Sequence, residues 1–172
     1  MDGSIQVYYG NGRGKTTAAL GLGIRAAGVG KQVIMVQFLK KKHSDTLDFL
    51  KKLEPELQIF RFEKAACGYS DLSPKEKQEQ MLNIKNALGY SRKVLDTGQC
   101  DLLILDEIFG LVDYNIITIE ELMDLIAVKK DSMDLILTGR NLPDEVREIA
   151  DRVYSIQREK EKTPEILAQG NF

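Results

Sequence analysis

A strand, a glycine-rich turn and a helix follow one another near the N-terminus, and this succession constrains the chain more than any other feature. Residues 4–9 form an extended, apolar-alternating segment, and Ala18-Ala19-Leu20 favours a helix after the turn. Glycines let successive backbone N–H groups point at one anion, and the helix start adds a partial positive charge. The pattern predicts a phosphate-binding loop and therefore ATP or GTP chemistry. The predicted loop residues are Gly10, Asn11, Gly12, Arg13, Gly14, Lys15, Thr16 and Thr17.

Two residues of this loop carry the expected chemistry. Lys15 would neutralise phosphate charge, and the Thr16 hydroxyl would reach a magnesium ion. The usual pattern has a glycine five residues before Gly14, where this chain has Tyr9, so the loop is one residue shorter. The shorter loop predicts a non-standard orientation of the triphosphate. A glycine-rich turn that only joins a strand to a helix is the alternative.

Apolar strands alternate with amphipathic helices along the chain. This alternation predicts an α/β fold with a mostly parallel sheet of five to six strands and helices on both faces. Together with the phosphate-binding loop, it indicates a P-loop NTPase-like (RecA-like) fold. We expect one ATP-binding domain over residues 1–156 and a polar, loosely ordered tail over residues 157–172. The predicted strands are 4–9, 32–38, 57–62, 102–105, 135–138 and 153–156. The predicted helices are 15–27, 45–53, 73–96, one capped near Thr118, and 143–151.

Charged residues follow two of the later predicted strands. Asp106-Glu107 comes directly after an apolar run, and Arg140 follows the next one. Ligands bind at the carboxyl ends of parallel strands, so these residues are expected to face the loop. One carboxylate would bind Mg²⁺ while the other orients a ligand, and in a hydrolase Glu107 would be the candidate base. Arg140 would reach a phosphate, a nucleobase or a carboxylate; a helix-capping acidic pair and a surface arginine are the alternatives.

Composition narrows the function classes further. A chain of 172 residues is expected to form one domain, and its net charge of −2 gives no nucleic-acid signal. No apolar run has transmembrane length and no signal-peptide pattern is present, so a cytoplasmic location is expected. Cys67 and Cys100 have neither metal-ligand nor redox spacing. His43 is the only histidine, which makes histidine-based catalysis unexpected.

Several segments together resemble one known family. Residues 10–21 resemble the short phosphate loop of the ATP:corrinoid adenosyltransferases, also called cob(I)alamin adenosyltransferases, of the BtuR/CobO/CobP type. Residues 28–40 resemble that family's second strand with its flanks, and the segments at 105–108, 137–141 and 150–153 also match in the family's order. The resemblance spans roughly residues 5–155.

The resemblance implies a transferase of cobalamin biosynthesis, in which the cobalt(I) of a corrinoid attacks the 5′ carbon of ATP and triphosphate leaves. ATP would lie reversed in the loop, which holds the triphosphate. Lys15 would counter its charge, and Arg140 is a candidate ATP ligand. Thr16 and Glu107 would ligate Mg²⁺, with Asp106 supporting them. The family further implies a homodimer and a flavoprotein reductant as candidate partners, without nucleic acid or membrane.

The corrinoid half of the site departs from the family pattern. The family usually has a Phe-x-Trp pair after a glycine, and its rings contact the corrin. Here the matching stretch is Gly68-Tyr69-Ser70-Asp71, and the chain contains no tryptophan. Tyr69 is therefore the candidate corrinoid contact. Two other functions stay open: an NTPase or small-molecule kinase, and an ATP-binding paralogue with a regulatory role.

Overall fold

The structure, a computed structural model, describes residues 3–40, 49–62 and 67–162. Six strands form one sheet in which every pairing is parallel, in the order β3-β2-β4-β5-β1-β6. The strands are β1 (Ile5–Tyr9), β2 (Val33–Gln37), β3 (Leu57–Arg61), β4 (Leu102–Asp106), β5 (Asp134–Gly139) and β6 (Arg152–Ser155). The helices are α1 (Lys15–Ala27), α2 (Pro74–Thr97), α3 (Ile108–Asp113), α4 (Ile119–Ala127) and α5 (Asp144–Ile149). The predicted parallel sheet is confirmed.

The central strands are apolar along almost their whole length because both faces of the sheet are covered. All five residues of β2 and all five of β4 are buried. The edge strand β6 has no buried residue and pairs with β1 on one side. Continuous apolar strands of this kind are typical of parallel sheets between two helical layers.

Each face of the sheet has its own apolar core. Helix α1 packs on one face, where Ala19 lies among side chains such as Met35 and Ile104. Helices α2 to α5 contribute to the larger core on the other face, with Ile84 of α2 and Leu122 of α4 fully buried. None of the helices that the structure describes is long and apolar enough to cross a membrane.

Local capping signals set the ends of two helices as the sequence predicts. The Ser73 side chain accepts a hydrogen bond from the Glu76 amide, and the Glu76 carboxylate accepts one from the Ser73 amide. Thr118 begins α4 with the same reciprocal arrangement. Gly98 ends α2 in the left-handed conformation that glycine adopts without strain. These boundaries are confirmed.

Some element predictions need correction. The short helix α3 was not predicted, since six residues are too few to show helical periodicity. The helix predicted over 143–151 is shorter, because Ala150 is extended and the Asp151 carboxylate accepts a hydrogen bond from the Ile5 amide. The helix predicted over 45–53 ends as a 3₁₀ turn at Lys51–Leu53, and residues 45–48 lie outside the described part. The domain boundary at 156 and the character of the tail stay predictions.

The order of the strands determines where the site forms. Strand β5 lies between β1, which leads into the glycine-rich loop, and β4, which ends in Asp106. The carboxyl ends of these three strands therefore meet at one edge of the sheet, as expected for a ligand site in an open parallel sheet.

Candidate functional site

The glycine-rich loop adopts backbone angles that need glycine at both of its ends. Gly10 has φ 124° and Gly14 has φ 107°, a region that side-chain-bearing residues rarely enter. Gly14 is also the N-cap residue, immediately before α1, and no side chain caps the helix there. The first turn of α1 contains no acidic residue. Its N–H groups thus keep their partial positive charge for an anion.

Lys15 bends back over the loop from the first position of α1. Its ammonium donates hydrogen bonds to the carbonyl oxygens of Gly10 at 2.8 Å and of Gly12 at 2.9 Å. The charge is therefore held above the turn by the loop's own backbone. A bound polyphosphate would offer this ammonium stronger, negatively charged acceptors.

Asp106 is the centre of a buried hydrogen-bond network at the same edge. Its side chain is fully buried and accepts from the Thr16 hydroxyl at 2.9 and 3.0 Å and from the Thr138 hydroxyl at 2.7 Å. The Gln37 amide nitrogen donates to it at 3.1 Å, and the Gln37 amide oxygen accepts from the Arg61 guanidinium. Strands β2, β4 and β5 and helix α1 are thereby tied together through one buried carboxylate.

Glu107 follows Asp106 but points into a different environment. Its backbone is left-handed, with φ 63°, and its amide donates to the Thr138 hydroxyl at 2.8 Å. Burial raises the pKa of the Glu107 carboxyl, an effect partly opposed by the Lys40 ammonium. A desolvated carboxylate of this kind would be stabilised by a cation placed beside it.

These elements enclose one polar cavity of about 390 Å³. Five cationic side chains and one carboxylate line it, although the whole chain has a net charge of −2. The lining residues are Gly10, Asn11, Gly12, Arg13, Gly14, Lys15, Thr16, Lys40, Glu107, Arg140 and Arg158. The local excess of positive charge suits a polyphosphate.

The structure brings most of the predicted site residues together. Seven of the eight loop residues line the cavity with Glu107 and Arg140, and Asp106 lies directly beneath, bonded to Thr16. Thr17 belongs to the first turn of α1, but its side chain is exposed and does not line the cavity. Tyr69 lies away from this set, in the 3₁₀ turn Tyr69–Asp71, where its ring centroid is 5.3 Å from that of Tyr114.

Two cationic lining residues were missed by the sequence reasoning. Lys40 follows the end of β2, and Arg158 follows the end of β6. The segment before Arg158 packs on the loop: Gly12 donates to the Ile156 carbonyl at 2.9 Å, and the Arg158 amide donates to the Asn11 side chain at 3.2 Å. Ligands bind at the carboxyl ends of parallel strands, and this rule was applied only to the ends of β4 and β5. Applied to β2 and β6 as well, it would have found both residues.

The donor set fits a magnesium ion held together with phosphates. The Thr16 hydroxyl and the Glu107 carboxylate line the cavity, and the Asp106 carboxylate touches Thr16. Within the described ranges, no three histidine, cysteine or acidic side chains are grouped as a complete protein cage. Mg²⁺ typically takes one or two carboxylates, waters and substrate phosphates. The Lys40 ammonium already lies against the Thr16 and Asp106 oxygens, so this position favours a cation.

Comparison with known proteins then decides the family. The family described as ATP:corrinoid adenosyltransferase BtuR/CobO/CobP matches residues 1–169. The chain belongs to this family. A corrinoid adenosyltransferase of Escherichia coli is 30% identical over 155 residues, which cover 90% of this chain and 76% of that protein. The corrinoid adenosyltransferase of Salmonella typhimurium matches with the same identity and coverage. The predicted family and its transferase class are confirmed.

A solved structure supports the fold assignment. The KaiC-like protein of Pyrococcus horikoshii superposes with a TM-score of 0.57 at 19% sequence identity, over 91% of this chain and 72% of that one. At this identity the likeness concerns the fold alone. Together with the six-stranded parallel sheet, it confirms the predicted RecA-like α/β architecture.

Proposed function

We propose that this protein transfers the 5′-deoxyadenosyl group of ATP to the cobalt(I) of a corrinoid and releases inorganic triphosphate. The cobalt(I) electron pair forms the bond to the 5′ carbon, and the bond between that carbon and the 5′ oxygen breaks. The oxygen keeps the electrons of the broken bond and leaves as part of triphosphate. The observation that carries the proposal is the strongly cationic cavity on a shortened glycine loop, in a member of this family.

The loop and Lys15 would stabilise the leaving group. Negative charge grows on the triphosphate as the carbon–oxygen bond breaks, and preorganised donors that meet this charge lower the barrier. The uncapped start of α1 and the ammonium of Lys15 are such donors. Arg140 also lines the cavity and would hold ATP from the end of β5.

Thr16 and Glu107 would hold a magnesium ion, with Asp106 orienting Thr16 from beneath. When bound, the ion would supply further positive charge to the phosphate oxygens. Asp106 is suited to the supporting role because it is fully buried and bonded to Thr16, Thr138 and Gln37. Glu107 lines the cavity and is suited to direct contact.

The reaction needs no general base. Cobalt(I) supplies an electron pair without losing a proton, so no side chain has to remove one. This requirement agrees with the residues that line the cavity, where the single carboxylate is Glu107 and no histidine occurs among the described residues.

The remaining parts of the proposal rest on the family. We expect Tyr69 to contact the corrinoid, a flavoprotein to supply electrons, the chain to form a homodimer, and the protein to be cytoplasmic. Tyr69 is partly exposed and packs against Tyr114 just beyond α3, the helix that begins after Glu107. Light scattering coupled to size-exclusion chromatography tests the homodimer.

Product analysis tests the function. The protein is incubated without oxygen with ATP, Mg²⁺ and a chemically reduced corrinoid, and the phosphate product is identified. Triphosphate formed in equal amount with adenosylcorrinoid is expected. ADP would instead favour the NTPase or kinase alternative, and ATP binding with no product would favour the regulatory paralogue.

A further inference from the structure

Lys40 lies where a cation bound by Thr16 and Asp106 would lie. Its ammonium is 3.1 Å from the Thr16 hydroxyl oxygen and forms an ion pair with the Asp106 carboxylate at 3.4 Å. The Lys40 side chain is 28% exposed, whereas that of Asp106 is fully buried. A partly solvated positive charge thus lies against a fully buried carboxylate.

The backbone before Lys40 directs the side chain into the cavity. The Phe38 amide donates to the Asp106 carbonyl at 2.9 Å, which extends the contact between β2 and β4 by one residue. Leu39 then has φ 55°, a left-handed conformation that a branched aliphatic residue rarely adopts. This turn brings Lys40 back over the sheet edge, and such unusual backbone angles concentrate at functional sites.

We infer that Lys40 is an internal competitor of Mg²⁺: its ammonium holds the Thr16–Asp106 position and must leave when the metal enters with ATP. The inference deepens the proposed function and rests on it. The Thr16 hydroxyl oxygen cannot contact an ammonium and ligate a divalent ion together, because the two like charges would repel each other at short range. Lys40 therefore sets how strongly ATP binding depends on Mg²⁺.

The measured quantity is the magnesium effect, defined as the dissociation constant of ATP in excess EDTA divided by that in excess Mg²⁺. Both constants come from calorimetric titration of the purified protein. Lys40→Met removes the competitor from the metal position and removes the counter-charge from the metal-free site. The first change lowers the dissociation constant of ATP in Mg²⁺, and the second raises the one in EDTA. The magnesium effect should therefore rise about tenfold, as expected for one charge-assisted contact.

A matched control variant and a second substitution of Lys40 complete this experiment. Lys31→Met removes the ion pair of Lys31 with Asp134, at the opposite end of the sheet, and should leave the magnesium effect unchanged. Lys40→Gln keeps a hydrogen-bond donor beside Asp106 and should raise the effect in the same direction if Lys40→Met does not fold.

The outcomes separate the inference from the proposed function. An unchanged or smaller magnesium effect in the Lys40 variants overturns the inference while ATP binding by the unsubstituted protein stands. A smaller effect would mean that Lys40 contacts the phosphates mainly when Mg²⁺ is bound. Failure of the unsubstituted protein to bind ATP at all would overturn the proposed function, and this inference with it.

Discussion

Replacing Thr138 with valine tests the buried hydrogen-bond network that joins the Asp106 carboxylate to the Glu107 backbone. The Thr138 hydroxyl donates to Asp106 at 2.7 Å and accepts from the Glu107 amide at 2.8 Å, and the residue is fully buried. Valine has nearly the same shape, so packing changes little while both hydrogen bonds are lost. A substitution of this kind isolates the polar contribution.

The expected loss follows from the two groups left behind. A buried group that loses its partner costs about 1–3 kcal/mol. The Glu107 amide is left without the Thr138 oxygen, whereas Asp106 keeps the Thr16 and Gln37 donors. The Glu107 amide should cost about 2 kcal/mol, and Asp106, which keeps other donors, about 1 kcal/mol. We therefore expect the free energy of unfolding to fall by about 2–4 kcal/mol.

Urea denaturation followed by circular dichroism measures this change. Thr138→Ser is the matched control, because it keeps the hydroxyl and removes only a methyl group, at a cost of about 1 kcal/mol. The reasoning is refuted if Thr138→Val is as stable as the unsubstituted protein, or if it is destabilised no more than Thr138→Ser.

Three further predictions concern the loop and the cysteines. Lys15→Ala should weaken ATP binding by about 10- to 100-fold in calorimetry, because a charge-assisted contact of about 1.5–3 kcal/mol is lost, whereas Lys31→Ala should not. Gly10→Ala should lower the thermal midpoint and weaken ATP binding, since φ is 124° and the added methyl group would overlap a neighbouring backbone carbonyl oxygen; an unchanged midpoint would contradict this. Burial raises the pKa of Cys100 to about 12, and the thiolate is the reactive species, so iodoacetamide at pH about 8 should modify Cys67 and leave Cys100 intact until the protein unfolds. Equal modification of both in the folded protein would be the contrary result.

The sequence predicts most of the local structure because the signals are local. The phosphate loop, the capping boxes at Ser73 and Thr118 and the apolar strands each lie within a few residues of chain. The order of the strands is a different matter, since it depends on pairings between distant segments. Nothing in the periodicity indicates that β5 separates β1 from β4.

The position of β5 between β1 and β4 explains why the role of Thr138 was missed. Thr138 bridges Asp106 and Glu107 only because β5 is their neighbour, so its role follows from the order of strands and not from its own sequence context. Lys40 and Arg158 reach the cavity from β2 and β6, which the sequence reasoning did not connect with the loop. Residues at the ends of predicted strands were therefore within reach of the sequence, whereas the bridging role of Thr138 depends on the order of the strands.

The fate of the 5′ oxygen of ATP tests the central claim most directly. ATP that carries a heavy oxygen isotope at this position is converted with reduced corrinoid and Mg²⁺, and the products are separated for mass spectrometry. Attack of cobalt on the 5′ carbon predicts that the label leaves entirely with triphosphate. Label that stays attached to the nucleoside, in ADP or AMP, would contradict the account, because a phosphorus–oxygen bond would then have been broken.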